Sequence, residues 1–90
     1  MINKTYKIVN PTGLDAKSAS VLVSNCSKFN CEVFLCHLGA NVNLKSIMGV
    51  MSLNVHKGEI VEVSFSGTDE EEAYNVINQV IGEIKLGKEI

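Results

Sequence analysis

The chain reads as an α+β open-faced sandwich, a four-stranded antiparallel sheet with three helices packed on one face, in the order β-α-β-β-α-β-α. Three observations predict it. Two segments carry the apolar period of an amphipathic helix, at Ala19, Leu22, Val23 and Cys26 and again at Ala73, Ile77, Val80, Ile81 and Ile84. Runs such as "TYKIV", "CEVFLCHL" and "EIVEVSFSG" alternate apolar and polar residues with the period of a half-buried strand. Ninety residues with 46% hydrophobic content supply one modest core and no second, so residues 1–90 are expected to form one domain.

Each element follows from its local chemistry. In "TYKIV" Tyr6 and Ile8 fall on one side and Lys7 on the other. The period changes at Ala16, and the first helix is expected to end near Ser27 or Lys28. "CEVFLCHL" places Val33 and Leu35 inward, which leaves Phe34 and Cys36 on the uncovered sheet face. Gly39, Ala40 and Asn41 supply a turn into the short strand "VNL", completing a hairpin. "SIMGVMSL" suits a brief helix capped by Ser46, with Ile47, Val50 and Met51 along one face. Lys57-Gly58 turns the chain into a fourth strand in which Val61, Val63 and Phe65 alternate with Glu62 and Ser64. Asp69 and Glu72 form an aspartate version of the capping box, with Glu70 to Glu72 in the first turn of the last helix.

Composition removes several function classes. Lys+Arg of 8 against Asp+Glu of 10 gives a net charge of −2, far from the basic balance that non-specific nucleic-acid binding uses. All eight cations are lysine, so the chain lacks the guanidinium fork that grips phosphate bidentately. The charge is uneven: residues 1–60 carry +3 and residues 61–90 carry −5, which makes the first two thirds the face for an acidic partner. Three cysteines cannot pair fully, and no basic-then-apolar opening marks a secretory leader, so a cytoplasmic location is expected. No apolar run approaches the roughly 20 residues of a membrane span. Cys26, Cys31, Cys36, His37 and His56 have no C-x2-C spacing, and neither a metal nor a cofactor is expected.

Two positions concentrate the chemistry. Asp15, in "NPTGLDAKSAS", stands at the entry to the first helix, where its carboxylate can accept the backbone N–H of Lys17 or Ser18 and meets the positive end of the dipole. Both effects hold it ionised. Thr12, Gly13, Ala16, Lys17 and Ser18 bring backbone donors, hydroxyls and an ammonium to the same end, so the site reads either as a plain cap or as an anion-handling site. Ser46 divides the same way. It is a cap, or an exposed hydroxyl beside Lys45 whose phosphorylation would add roughly −1.5 to −2 charges to the surface. Met48 and Met51 form a soft contact patch if exposed and ordinary core if buried.

At these residues a resemblance enters. "NLKSIMGVMSL", Asn43 to Leu53, resembles the regulatory-serine segment of HPr, the histidine-containing phosphocarrier of the bacterial sugar phosphotransferase system, and "TGLDAKSAS", Thr12 to Ser20, occupies the place of its active loop. Element order and spacing match along essentially the whole chain. In that family the loop carries a phosphorylatable histidine followed by alanine, arginine and proline. Here Gly13 and Ala16 fit, while Asp15 stands for the histidine, Lys17 for the arginine and Ser18 for the proline. The chain is thus similar to a Crh-like member without the active-site histidine.

The resemblance implies a regulatory protein of carbon catabolite control, switched at Ser46 by HPr kinase/phosphorylase and read by a LacI-type regulator. It also implies partner contacts at Leu14, Lys17, Lys45, Ile47, Met48 and Met51, and a surface related to the one that meets enzyme I. The alternative is a phosphocarrier working through Asp15 as an acyl phosphate. No carboxylate cluster for magnesium accompanies Asp15, and its charge repels a phosphoryl donor. A third reading is self-association through the open sheet face at Phe34 and Cys36, or a homodimer that exchanges its first strand.

Overall fold

The computed structural model describes all 90 residues, Met1–Ile90. The elements are β1 (Ile2–Ile8), α1 (Ala16–Cys26), β2 (Glu32–His37), β3 (Ala40–Asn43), α2 (Ile47–Ser52), β4 (Ile60–Ser66), α3 (Glu70–Glu83) and β5 (Gly87–Glu89). The sheet has five strands in the order β3-β2-β4-β1-β5, all neighbours antiparallel. The expected open-faced α+β architecture is present, with one strand more than the alternation predicts. "GKE" has no apolar alternation to betray it, and it becomes a strand only because Tyr6, Lys7 and Ile8 offer their free edge to Glu89, Lys88 and Gly87.

Alternation placed the sheet faces correctly. Tyr6, Ile8, Val33, Leu35, Val61, Val63 and Phe65 are buried beneath the helices. Phe34 and Cys36, on the other face, are half-buried between Ser64 and Asn43 and between Glu62 and Asn41. The β2–β3 turn is tighter than expected: Leu38 and Gly39 alone make it, at φ 50° and 85°, and Ala40 already belongs to β3. Two positive-φ residues in a row give a turn whose twist matches the flanking strands, so no third residue is needed.

The helical layer orients the two sites. Asp69 makes no side-chain cap to α3, contrary to the capping-box reading. Its two carboxylate oxygens accept instead the backbone N–H of Asn30 and of Cys31, each at 2.8 Å, and these hydrogen bonds keep its carboxyl below the ordinary range. The start of α3 is thereby tied to the chain leaving α1. At the opposite ends, Ile84 at the close of α3 stands beside Asp15 at the start of α1. Helices α1 and α3 therefore run antiparallel, and Leu22, Val23, Cys26, Ala73, Ile77 and Ile81 fill the shared core above the sheet.

Candidate functional site

Asp15 is the N-cap of α1, in extended backbone at φ −84° and ψ 177°. One carboxylate oxygen accepts the Ser18 N–H at 2.9 Å and the other accepts the Thr12 hydroxyl at 2.6 Å. Asn10 braces the loop from behind, donating its side-chain N–H to Gly13 O at 2.8 Å and to the Thr12 hydroxyl at 3.2 Å. The Thr12 hydroxyl first, and then the Ser18 N–H, hold the Asp15 carboxyl down at about 2. Asp15 is thus an anion at every physiological pH with both oxygens engaged.

The loop's shape depends on Gly13. Gly13 takes φ +68°, and a Cβ there would stand 2.3 Å from Val55 O. Leu14 then donates its N–H to the same Val55 oxygen at 3.1 Å. A cavity of about 360 Å³ opens beside Asp15, lined by Asn10, Lys17, Ser18, Val21 and Ile84. Lys17 shares that cavity but lies outside ion-pairing distance of Asp15, whose charge is met by hydrogen bonds alone.

Ser46 is the N-cap of α2, at φ −119° and ψ 112°. Its hydroxyl accepts the Gly49 N–H at 3.2 Å and is exposed. Ile47, Met48 and Met51 are 43%, 84% and 39% exposed, so three large apolar side chains stand in water around one hydroxyl, while Val50 alone of the helix enters the core. Of Ile47, Val50 and Met51, expected along one face, Val50 alone is buried while Ile47 and Met51 stay exposed; six residues make too few turns to bury a full stripe.

The chain from Lys45 to Val55 links the two sites. Lys45 Nζ donates to Phe29 O at 2.7 Å, just beyond the C-terminal end of α1, and Val55 O receives Leu14 just before its N-terminal end. The exposed methionines of α2 belong to this connecting stretch. Two of the expected contact residues are engaged by the fold itself. Leu14 is 6% exposed and packs into the core, because Gly13 turns it under the loop. Lys45 is half-buried, with its ammonium committed to the Phe29 carbonyl instead of standing free beside Ser46.

Several participants escaped the sequence reading. Asn10 is the brace of the Asp15 loop, and its spacing to Thr12 and Gly13 could have signalled a polar turn. His37 continues the inward parity of Val33 and Leu35 and is 5% exposed, with Nε2 3.1 Å from Glu59 Oε1. No group of three or more His, Cys, Asp or Glu side chains converges closely enough to hold a metal ion, and no helix is long and apolar enough to cross a membrane.

Comparison with known proteins agrees with this geometry. The family model "PTS HPr component phosphorylation site" matches residues 2–83. The solved structure of HPr from Thermoanaerobacter tengcongensis is 41% identical, with 100% of both chains covered and a TM-score of 0.87. The histidine-containing phosphocarrier protein of a Mycoplasma is 30% identical over 97% of this chain and 99% of its own, with a TM-score of 0.94. Crh of Bacillus subtilis, a catabolite-repression protein solved as a swapped dimer, is 41% identical over 81% of this chain and 84% of its own, with a TM-score of 0.72.

Proposed function

We propose, from the premise that this chain belongs to the HPr family of the phosphotransferase system, that it is a regulatory member that signals through protein contacts and does not carry phosphoryl groups. One observation bears the argument. The position that resembles the family's phosphoacceptor histidine holds Asp15, a carboxylate kept at about 2 whose oxygens are occupied by Thr12 and Ser18. Such a group has no free imidazole nitrogen to attack a phosphoryl donor. As an oxygen nucleophile it would have to give up a hydrogen bond and approach a like charge.

What the loop loses, the second site keeps. Ser46 presents an exposed hydroxyl at a helix start, ringed by Ile47, Met48 and Met51. A phosphate placed there meets the positive end of α2 and converts an apolar surface into a charged one without entering the core. By family resemblance the writer of that mark is an HPr kinase/phosphorylase and its reader a LacI-type catabolite control regulator. Asp15 then acts as a fixed anion at the other end of the same surface, a partial imitation of a phosphorylated carrier.

Mass spectrometry after incubation with the two phosphoryl donors tests this. ATP with HPr kinase is expected to add one phosphate to the wild-type protein and none to Ser46→Ala, while phosphoenolpyruvate with enzyme I adds none. A hydroxylamine-sensitive label from phosphoenolpyruvate, lost in Asp15→Asn, would establish a carrier working through Asp15 and sink the regulatory reading.

A further inference from the structure

A sheet that does not close on itself ends in two edges, and unpaired backbone along an edge is a template for another strand. Beyond β2 the edge is β3, four residues long, exposed at Ala40, Asn41 and Asn43 and poor in strand-forming residues. It is a weak template. Beyond β4 the edge would be β1, were β5 not laid along it. β1 has seven residues and carries Thr5, Tyr6 and Ile8, all favoured in strands, so it is the segment best able to recruit a partner.

β5 is fastened to that edge from both ends. Leu86, 2% exposed, is sunk in the core, and its carbonyl accepts the Val9 N–H at 2.9 Å. At the far end Ile90 donates its N–H to Thr5 O at 2.9 Å. Between them Gly87 lies so close to β1 that a Cβ would stand 2.8 Å from Lys7 O. Glu89 accepts the Tyr74 hydroxyl at 2.7 Å and has its other oxygen 3.8 Å from Lys4 Nζ. The pairing also sets Lys7 opposite Lys88, two like charges whose juxtaposition is unfavourable. The strand's own cross-strand pairs therefore do not account for its place; the edge it hides does.

We propose that β5 is a guard that keeps the protein monomeric, because the edge of β1 beneath it is complementary to the same edge of a second copy. The odd residues of β1 turn their backbone groups to this edge, as Thr5 and Val9 do, while the even ones turn to β4, as Ile8 does toward Glu59. Full antiparallel overlap of Ile2–Ile8 with itself sets Thr5 against Thr5, Asn3 against Lys7, Lys4 against Tyr6 and Ile2 against Ile8. Odd meets odd, so donors face acceptors across the seam. Side chains of one sheet face meet those of the same face, and no lysine opposes a lysine. The arrangement has a two-fold axis at Thr5 and closes as a dimer. Three residues of cover suffice, because Lys7 is the partner of Asn3 on both sides of that axis. Exchange of the first strand is a different contact, in which β1 keeps a β4 as its neighbour.

Light scattering during size exclusion reads the outcome on the full chain. The wild type is expected to keep the mass of one chain up to about 1 mM. Gly87→Val combined with Lys88→Pro sets a side chain against Lys7 O and takes an N–H out of the ladder. That variant is expected to dimerise at least about tenfold more tightly than the wild type, with a dissociation constant below about 100 µM. Lys88→Pro alone serves the same purpose if the double variant folds poorly. Adding Thr5→Lys, which opposes two ammonium groups across the axis, should return the monomer. Uncovered variants that stay monomeric at about 1 mM overturn the guard, as does a wild type that is already dimeric. A dimer that survives Thr5→Lys overturns it too, since exchange of β1 or another surface would then hold the two copies together.

Discussion

The start of α1 and the start of α2 solve the same problem with opposite chemistry. Each helix needs an acceptor for an unpaired backbone N–H, and each finds it in the side chain of its N-cap. At α1 the cap is a charged group with both oxygens used, braced by Thr12 and Asn10 and backed by Val55. At α2 it is a neutral hydroxyl with one 3.2 Å hydrogen bond, open to solvent among exposed apolar side chains. A cap so thoroughly engaged has little freedom to react, whereas one held by a single long bond can be modified while the fold stays intact. The contrast separates what the family scaffold still fixes from what it leaves available.

The largest disturbance is expected at the rigid end. Gly13→Ala forces a left-handed backbone on a residue with a Cβ and drives that Cβ to 2.3 Å from Val55 O. The two penalties together cost at least about 2 kcal/mol, which lowers the melting temperature of a domain this size by roughly 10 °C. Thermal unfolding followed by circular dichroism measures it. A loss of only a degree or two would mean that the loop yields easily to a side chain at residue 13.

Next comes removal of the caps. Asp15→Ala strips the partner from Thr12 and from the Ser18 N–H together, while Ser46→Ala removes one exposed acceptor. The serine variant should lose about 0.5 kcal/mol, at the low end for such caps, and the aspartate variant visibly more in the same unfolding assay. Equal losses would erase the distinction between the two ends.

How much of this could be read in advance depended on whether the controlling contacts were local. Both caps were legible because a cap and its N–H lie three residues apart, and the sheet faces because alternation decides them. What stayed hidden joins distant parts of the chain. Asp69 was assigned to its own helix by spacing, yet it binds Asn30 and Cys31, 39 and 38 residues away. Leu14 looked like a surface residue of an active loop until Val55 pulled it under, and β5 exists only because β1 has an edge to lend. His37 sits at the right parity for burial, and only the packing shows that it is enclosed.

Acid should act on the first cap and spare the second. The Asp15 carboxyl lies near 2 in the folded chain against an ordinary 3.8. Because the folded value is depressed, its contribution is complete above the ordinary value and disappears as pH falls through the folded one. Wild-type melting temperatures should therefore fall more steeply between about pH 4 and about pH 2 than those of Asp15→Asn, and the curves should converge below that window. Glu59, Asp69 and Glu70 are also depressed and act in both proteins, so the difference between the curves isolates Asp15. Parallel curves would mean that the Thr12 and Ser18 hydrogen bonds do not favour the charged form.

The smallest effect on stability is predicted where the effect on the surface is greatest. Aspartate and serine are equivalent N-caps, and one negative charge at a helix start gains only about 0.3 kcal/mol from the dipole, so Ser46→Asp should melt within a degree or so of the wild type. Its amide shifts in a nitrogen–proton spectrum should be confined to residues around Ser46, Gly49 and the exposed methionines, with the Asp15 loop unmoved. That outcome would place the two ends under separate control, one a permanent anion and one a surface whose charge can be rewritten. A drop of several degrees, or shifts that travel along residues 53 to 55 into Gly13 and Leu14, would instead make α2 a mechanical link, and a phosphate on Ser46 would then act by reshaping the Asp15 loop as well as by its charge.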